Sequence, residues 1–228
     1  MTTKPKTSSA DIAVIFDMDG VLVDSVGLNW QAMNQALVPY GVRVKDDEIA
    51  WYLGRTLRDQ VAQLNDDYSL ALGYEEFKTT TNQIKSTLFA ELRPKDGVED
   101  LLGELRTAHT PLAVATSMPR ELTIHRLSTA GMLEAFGVVV TAEDITAHKP
   151  EPEVYQRAAM LLGVDVSRCV VLEDAPAGIR AAKSAGMRCV AIRTPYTSED
   201  MLQGADLIVP SMRAVSLGTI RALVAESI

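Results

Sequence analysis

Six short runs of apolar residues constrain the fold of this chain more than any other feature of its sequence. The first run, residues 12–16, contains no polar residue and ends directly at Asp17. An uninterrupted apolar run of this length is typical of a strand that is buried on both faces of a parallel sheet. The six predicted strands are residues 12–16, 112–115, 138–140, 169–172, 189–192 and 207–209.

Helical spacing of apolar residues fills most of the intervals between these strands, and glycines stand where the helices should end. The alternation predicts an α/β fold, a doubly wound parallel-sheet (Rossmann-like) core with helices on both faces. The helical sets are Leu101, Leu102 and Leu105; Leu122, His125, Arg126 and Leu127; Val154, Ala158, Leu161 and Leu162; and Ile179, Ala182 and Lys183, with Gly131, Gly163 and Gly186 as predicted helix ends.

Between the first and second strands the alternation gives way to helical patterns alone. Trp30 and Met33 belong to one such pattern, Val61 and Leu64 to a second, and Phe77 to a third. An insertion of about 70 residues is too long for a structureless loop. We therefore predict an all-helical cap domain at residues 26–96, an α/β core domain at residues 11–25 and 97–228, and a disordered tail at residues 1–10.

The charge balance excludes several classes of partner. The chain has 22 Lys and Arg against 30 Asp and Glu, a formal net charge of −8. Without a basic block, binding to nucleic acid or to an anionic membrane is not expected. No apolar stretch approaches the about 20 residues of a bilayer span. Cys169 and Cys189 lie in apolar runs, which favours buried reduced thiols. We expect a cytoplasmic, monomeric protein.

Asp17 and Asp19 directly follow the first predicted strand, in the sequence Asp-Met-Asp-Gly. Residues two apart in an extended chain point the same way, so both carboxylates can face one point beyond the strand end. Two carboxylates that close repel each other unless a cation lies between them or one keeps its proton. A simple turn explains the same four residues equally well.

Three further polar segments lie beyond predicted strands. The hydroxyl groups of Thr116 and Ser117 can bind an anion at the start of the next helix, or cap that helix. Lys149 precedes another helix, and a lone lysine is usually a solvated surface charge. Glu173 and Asp174 are a second acidic pair, whose oxygens suit Mg²⁺, although Asp174 can also cap a helix.

Together the four segments point to one site. All are predicted at the carboxyl ends of parallel strands, where open α/β sheets collect their ligands. The set contains a nucleophilic carboxylate, a second carboxylate, a hydroxyl, a lysine and metal-binding acids. These are the groups that phosphoryl transfer requires.

The same segments, in this order, resemble the motifs of the haloacid dehalogenase superfamily. The resemblance is carried by residues 17–25 (DMDGVLVDS), Thr116, the Lys149-Pro150 pair and residues 172–179 (LEDAPAGI), and it covers about residues 11–210. It is closest to the helical-cap branch that contains β-phosphoglucomutases and small-metabolite phosphatases. True dehalogenases lack the second acid, so Asp19 favours phosphate chemistry.

The resemblance implies a Mg²⁺-dependent phosphatase that hydrolyses a small phosphorylated metabolite through an aspartyl-phosphate. Asp17 is the expected nucleophile, and Asp19 is the expected acid and base, contributing its backbone carbonyl to the metal. Glu173 would bind the metal directly or through water. The expected residues are Asp17, Asp19, Thr116 and Lys149 for catalysis; Ser117, Arg55 and Arg58 for substrate; and Asp17, Asp19, Glu173 and Asp174 for Mg²⁺.

The predicted cap domain would close over the core site and select the substrate. Hinges near Ser25 and Asp96 would permit that movement. Arg55 and Arg58 follow Gly54 and can face the core site, although solvated arginines at an ordinary helix start explain them equally well. The sequence does not distinguish sugar phosphates, phosphoglycolate and nucleotide or cofactor phosphates.

Two other functions remain open. A β-phosphoglucomutase carries a histidine where this chain has Asn29, and a cap arginine and lysine near Leu57 and Asn82. Met118 also replaces a small polar residue, so the departures favour hydrolysis, with Arg58 as a candidate substitute for the arginine. A non-catalytic phospho-receiver uses similar residues in a different order and has no large cap.

Overall fold

The computed structural model describes residues 12–46, 48, 49, 52 and 57–225. The chain divides into two compact units. Unit 1 comprises the chain up to Asp24 and from Arg93 onward, and unit 2 comprises Ser25–Leu92. The sequence places the corresponding boundaries at residues 25/26 and 96/97. Residues 93–96 belong to unit 1 because Pro94 bridges Val23 and the Lys95 amide donates to the Leu22 carbonyl.

The described residues of unit 1 form six strands, which are β1 Ala13–Phe16, β2 Leu112–Ala115, β3 Val138–Val140, β4 Cys169–Glu173, β5 Arg188–Ile192 and β6 Leu207–Val209. They form a parallel sheet in the order β3-β2-β1-β4-β5-β6. The central strands β1, β2 and β4 are buried and apolar except for Glu173 at the end of β4, which explains why no polar alternation marks them in the sequence. The predicted doubly wound α/β fold is confirmed.

The register of the central strands brings three chain segments to one level. Phe16 at the end of β1 lies beside Val114 of β2 on one side and Leu172 of β4 on the other. The residues that follow these strands therefore leave the sheet at the same edge. Because β2 and β4 lie on opposite sides of β1, this edge is a switch point of the sheet, where α/β proteins bind ligands.

The helices of unit 1 cover the sheet, and in the described residues they are α4 Val98–Thr107, α5 Arg120–Thr129, α6 Glu153–Leu162, α7 Pro176–Ser184 and α8 Leu217–Ala225. Tyr155 and Ala158 of α6 and Ile179 of α7 pack in one core cluster with alternate residues of the strands, such as Ile15 and Val171. The last helix, α8, was not predicted from the sequence.

The regular secondary structure in the described residues of unit 2 is helical, with α1 Ser25–Leu37, α2 Leu57–Tyr68 and α3 Tyr74–Ala90. The side chain of Asn34 ties the segment after α1 to the helix through two hydrogen bonds. Its Nδ2 donates to the Val44 carbonyl, and its Oδ1 accepts from the Val44 amide. Trp30 is buried, and its ring centroid lies 5.2 Å from that of Tyr52. Trp30 therefore contributes to the packing of this unit.

Cys169 and Cys189 are free, buried thiols in β4 and β5, as expected from their apolar runs. None of the helices in the described part of the chain combines the length and apolarity that crossing a bilayer requires.

Helix α5 offers a matched test of the core. Leu127 is fully buried, whereas Leu122 of the same helix is 47% exposed. Leu127→Ala is expected to lower the free energy of unfolding by about 2–5 kcal/mol, because it removes apolar contacts and leaves a cavity. Leu122→Ala should change it by less than about 0.5 kcal/mol. Urea unfolding of both variants measures the difference, and equal effects would contradict the described packing.

Candidate active site

All seven core residues predicted for the site line one pocket of about 380 Å³ in unit 1. The pocket lies at the carboxyl edge of the sheet. The Asp17 amide donates to the Leu172 carbonyl at 2.9 Å, and the Thr116 amide donates to the Val140 carbonyl at 3.0 Å. These backbone bonds extend the sheet by one residue and fix both side chains at its edge. The seven residues are Asp17, Asp19, Thr116, Ser117, Lys149, Glu173 and Asp174.

Lys149 connects the segments. Its ammonium lies 2.5 Å from Asp17 Oδ1 and 2.8 Å from Glu173 Oε1, and it donates to the Ala115 carbonyl at 3.2 Å. Burial alone would lower the pKa of Lys149, but the carboxylates of Asp17 and Glu173 outweigh it and raise this pKa. Lys149 is therefore a buried, charged cation rather than a solvated surface residue.

Glu173 is held by four donors. Lys149 and the Tyr155 hydroxyl, at 2.7 Å, bond Oε1, and the amides of Asp174 and Ala175 bond Oε2 at 2.9 and 3.0 Å. Burial raises the pKa of Glu173, but Lys149 and these hydrogen bonds outweigh it, so the net shift is downward. Both oxygens of this carboxylate are thus engaged in orienting Lys149 and the turn after β4.

Asp17 and Asp174 carry the negative charge that the lysine does not neutralise. Burial, together with the neighbouring carboxylates, raises the pKa of Asp17 to about 7 and that of Asp174 to about 8. Oxygens of Asp17, Glu173 and Asp174 lie within 4.8 Å of one another. Hard carboxylate oxygens in such a cluster fit a divalent cation such as Mg²⁺. With Glu173 engaged elsewhere, Asp17 and Asp174 are the carboxylates best suited to hold it.

Two glycines leave room for the side chains of Glu173 and Asp174. A Cβ atom at Gly178 would lie 1.5 Å from Glu173 Oε1, and one at Gly20 would lie 1.9 Å from Asp174 Oδ2. Gly20 also has a φ of +86°, which L side chains rarely adopt. The glycines of both motifs are therefore required by the close approach of the acidic side chains.

Thr116 and Asp174 do not cap the helices that follow them. The N-cap positions of α5 and α7 are Pro119 and Ala175, and neither makes a side-chain cap hydrogen bond. The buried Thr116 hydroxyl instead accepts from the Met118 amide at 3.2 Å, and Ser117 is exposed at the pocket. The helix-capping interpretation of these residues is thus wrong.

Of the two cap arginines predicted to bind substrate, the structure describes one. Arg55 lies outside the described residues. Arg58 is the second residue of α2 and is largely exposed, with its guanidinium 4.0 Å from the Tyr74 ring centroid and 3.9 Å from a carboxylate oxygen of Glu75. These contacts lie within unit 2, and a substrate-binding role for either arginine stays a prediction.

Three polar residues of the site were not predicted from the sequence. Arg126 of α5 bonds Asp19 Oδ1 at 2.7 Å, and the Tyr155 hydroxyl bonds Glu173. Lys95 donates to the Gly20 carbonyl, and burial lowers the pKa of Lys95. In the sequence, Arg126 and Tyr155 are marked only as polar groups beside the apolar positions of a helix, a pattern that does not by itself indicate a site.

Gly178 and Gly103 form a matched pair inside helices. Alanine at Gly103 meets no atom within 4 Å, so Gly103→Ala should stabilise the protein by about 0.5–1 kcal/mol through helix propensity. Gly178→Ala should instead destabilise it by about 1–3 kcal/mol, because the new methyl group displaces Glu173. Thermal unfolding measures both, and stabilisation by Gly178→Ala would contradict the described carboxylate position.

Comparison with known proteins agrees with this fold. The family model for haloacid dehalogenase-like hydrolases matches residues 14–192. The chain is 32% identical to validoxylamine A 7'-phosphate phosphatase of Streptomyces hygroscopicus subsp. limoneus, over 88% of this chain and 94% of that protein. It is also 32% identical to hexitol phosphatase A of Escherichia coli K12, over 89% and 92% of the two chains.

A solved structure resembles this chain over most of its length. The crystal structure of a putative β-phosphoglucomutase from Thermotoga maritima superposes with a TM-score of 0.77 at 29% identity. The match covers 95% of this chain and 100% of that one. Together with the family model, which spans more than half of the sequence, these similarities establish that the chain belongs to the haloacid dehalogenase-like hydrolase family.

Proposed function

We propose that this hydrolase is a Mg²⁺-dependent phosphatase that acts on a small phosphorylated metabolite through an aspartyl-phosphate. The observation that carries the proposal is the position of Asp17. Its carboxylate lies at the end of β1, in a pocket that also presents Thr116, and it is ion-paired with Lys149 and close to Asp174. A carboxylate nucleophile surrounded by cationic and hydroxyl groups suits attack on a phosphate monoester.

In the first step, a carboxylate oxygen of Asp17 attacks phosphorus and the bond from phosphorus to the ester oxygen breaks. Asp19 gives its proton to the departing oxygen, which leaves as an alcohol. In the second step, water attacks the phosphorus of the acyl phosphate and gives a proton to Asp19, and the bond from phosphorus to the Asp17 oxygen breaks to release the Asp17 carboxylate. The products are the alcohol and inorganic phosphate, and Asp17 and Asp19 recover their initial states.

The surrounding residues stabilise the charge of the transferring group. The Lys149 ammonium and the Thr116 hydroxyl face the pocket and can bond phosphoryl oxygens. Glu173 contributes by holding Lys149 in place. Mg²⁺ held by the carboxylates of Asp17 and Asp174, with the Asp19 carbonyl, would supply further positive charge for the phosphoryl oxygens. Such preorganised charge is usually the largest contribution to catalysis.

Named relatives support a substrate with a polyhydroxylated leaving group. The two phosphatases described above are named for validoxylamine A 7'-phosphate and for hexitols. We include in the proposal that the substrate is a phosphorylated sugar, polyol or cyclitol, and that helical unit 2 acts as the substrate-selecting cap. A sugar-phosphate mutase is the alternative, because one structural neighbour is described as a putative β-phosphoglucomutase.

The nucleophile is tested by Asp17→Asn. Phosphate release from a panel of sugar, polyol and cyclitol phosphates should fall at least ~10³-fold, because an amide is a poor nucleophile. Asp100→Asn, a change of the same type at an exposed position of α4, should keep wild-type activity. Retained turnover by folded Asp17→Asn would contradict the proposal. Isomerisation of glucose 1-phosphate without phosphate release would favour the mutase.

Metal binding is tested without turnover. Mg²⁺ at about 100 times its dissociation constant should raise the free energy of unfolding of the wild-type protein by about 2.7 kcal/mol. This corresponds to a rise of roughly 5–10 °C in the midpoint temperature of thermal unfolding. Asp174→Asn should abolish this shift, and its metal-free form should gain stability, because a crowded buried carboxylate is removed. Asp100→Asn should keep the shift. An undiminished shift in Asp174→Asn would contradict the assignment of this ligand.

A further inference from the structure

Arg126 makes a contact with the reacting groups that the proposed steps leave unused. Its Nη1 lies 2.7 Å from Asp19 Oδ1, and the two side chains are only 16% and 29% exposed. Asp19 is the group assigned to proton transfer. An arginine that donates a charged hydrogen bond to such a carboxyl group restricts the direction in which the carboxyl group points.

The position of Arg126 makes this contact well defined. It lies inside helix α5, and Thr123, which is one turn earlier on the same side of the helix, is fully buried. Side chains carried by a packed helix hold functional groups more accurately than loop residues do. Arg126 is also 107 positions from Asp19, so the contact depends on the tertiary fold.

Met118 is the second partner of the same guanidinium group. Its sulfur accepts from Arg126 Nη1 at 3.3 Å, and Met118 lines the active-site pocket. The sequence singles out Met118 because it replaces a small polar residue. Its contact explains the replacement in structural terms, since the thioether lies against Arg126 on the side of the guanidinium that bonds Asp19.

We propose that Arg126 is a positioning residue that fixes the catalytic carboxyl group of Asp19. The arginine holds Oδ1, and Oδ2 then exchanges the proton with the departing oxygen and with water. This inference rests on the proposed phosphatase function, and it assigns Arg126 no direct contact with the substrate.

Proton donation by Asp19 contributes most when the leaving oxygen is basic. This dependence distinguishes a positioning role of Arg126 from a general loss of active-site structure in the variant. Phenyl phosphate releases a basic phenolate, whereas 4-nitrophenyl phosphate releases a weakly basic one that departs without a proton. The comparison uses kcat/KM, because that parameter reports the first phosphoryl transfer and is unaffected by hydrolysis of the phosphoenzyme. Both substrates carry the same phosphoryl group and a similar ring, so their binding changes little.

Arg126→Met is expected to lower kcat/KM for phenyl phosphate by about 10–100-fold and for 4-nitrophenyl phosphate by less than about 3-fold. Arg126→Lys, which keeps a cationic donor, should recover part of the loss on phenyl phosphate. Arg188→Met is the control, because it removes an arginine from another ion pair of unit 1, 2.6 Å from Asp206. It should leave the ratio of the two kcat/KM values unchanged.

Four results would overturn the inference. An equal loss on both substrates indicates a structural role, a rise in KM alone indicates substrate binding, and a gain in activity indicates that Arg126 restrains Asp19. The same change of ratio in Arg188→Met indicates a nonspecific effect. Thermal unfolding of each variant confirms that the compared proteins are folded. If wild-type protein releases phosphate from neither aryl phosphate nor any metabolite of the panel, the proposed function fails instead.

Discussion

The ion pairs of Lys149 are the interaction on which the site depends. Three carboxyl groups, those of Asp17, Glu173 and Asp174, lie at one edge of the sheet and are almost completely buried. Burying one uncompensated carboxylate is costly, and burying three together is more so. Lys149 contacts Asp17 and Glu173 directly, and the hydrogen bonds that Glu173 accepts stabilise its own ionised form. Burial, together with the remaining excess of negative charge, raises the pKa of Asp17 and Asp174, and this excess of charge suits the binding of a cation.

The pairing of the strands determines where the segments of the site meet. Pairing of β1 with β4 and β2 brings the residues after Phe16, Leu172 and Ala115 to one edge, so segments far apart in sequence meet there. Close approach then excludes side chains at Gly20 and Gly178. The fold and the chemistry are thus linked through strand register and through two glycines.

The main parts of this architecture were predictable from the sequence because they depend on local patterns. Apolar runs such as residues 12–16 identify buried strands, and polar groups directly after them identify the reactive edge. Contacts set only by tertiary packing were not predictable in this way. Arg126 reaches Asp19 across 107 positions, and the pattern around it indicates only an amphipathic helix.

The missed elements have similar physical reasons. Helix α8 is nine residues long and lies beyond the stretch that resembles the family motifs, so neither its length nor a motif identified it. The predicted domain boundary at residues 96/97 stays a prediction, and its small difference from the division at Arg93 reflects the pairing of Pro94 with Val23, which no apolar pattern marks. Tyr155 occupies an apolar position of α6, and its hydroxyl bond to Glu173 is set by the sheet beneath the helix.

The most direct test of the central claim is chemical trapping of the phosphoenzyme. Wild-type protein turning over a phosphorylated substrate with Mg²⁺ is quenched with borohydride, which reduces an acyl phosphate to an alcohol, and the modified residue is located by peptide mass spectrometry. The account predicts conversion of Asp17 to homoserine, dependent on substrate. Modification of another carboxylate, or turnover at full rate with Asp17 unmodified, would contradict it.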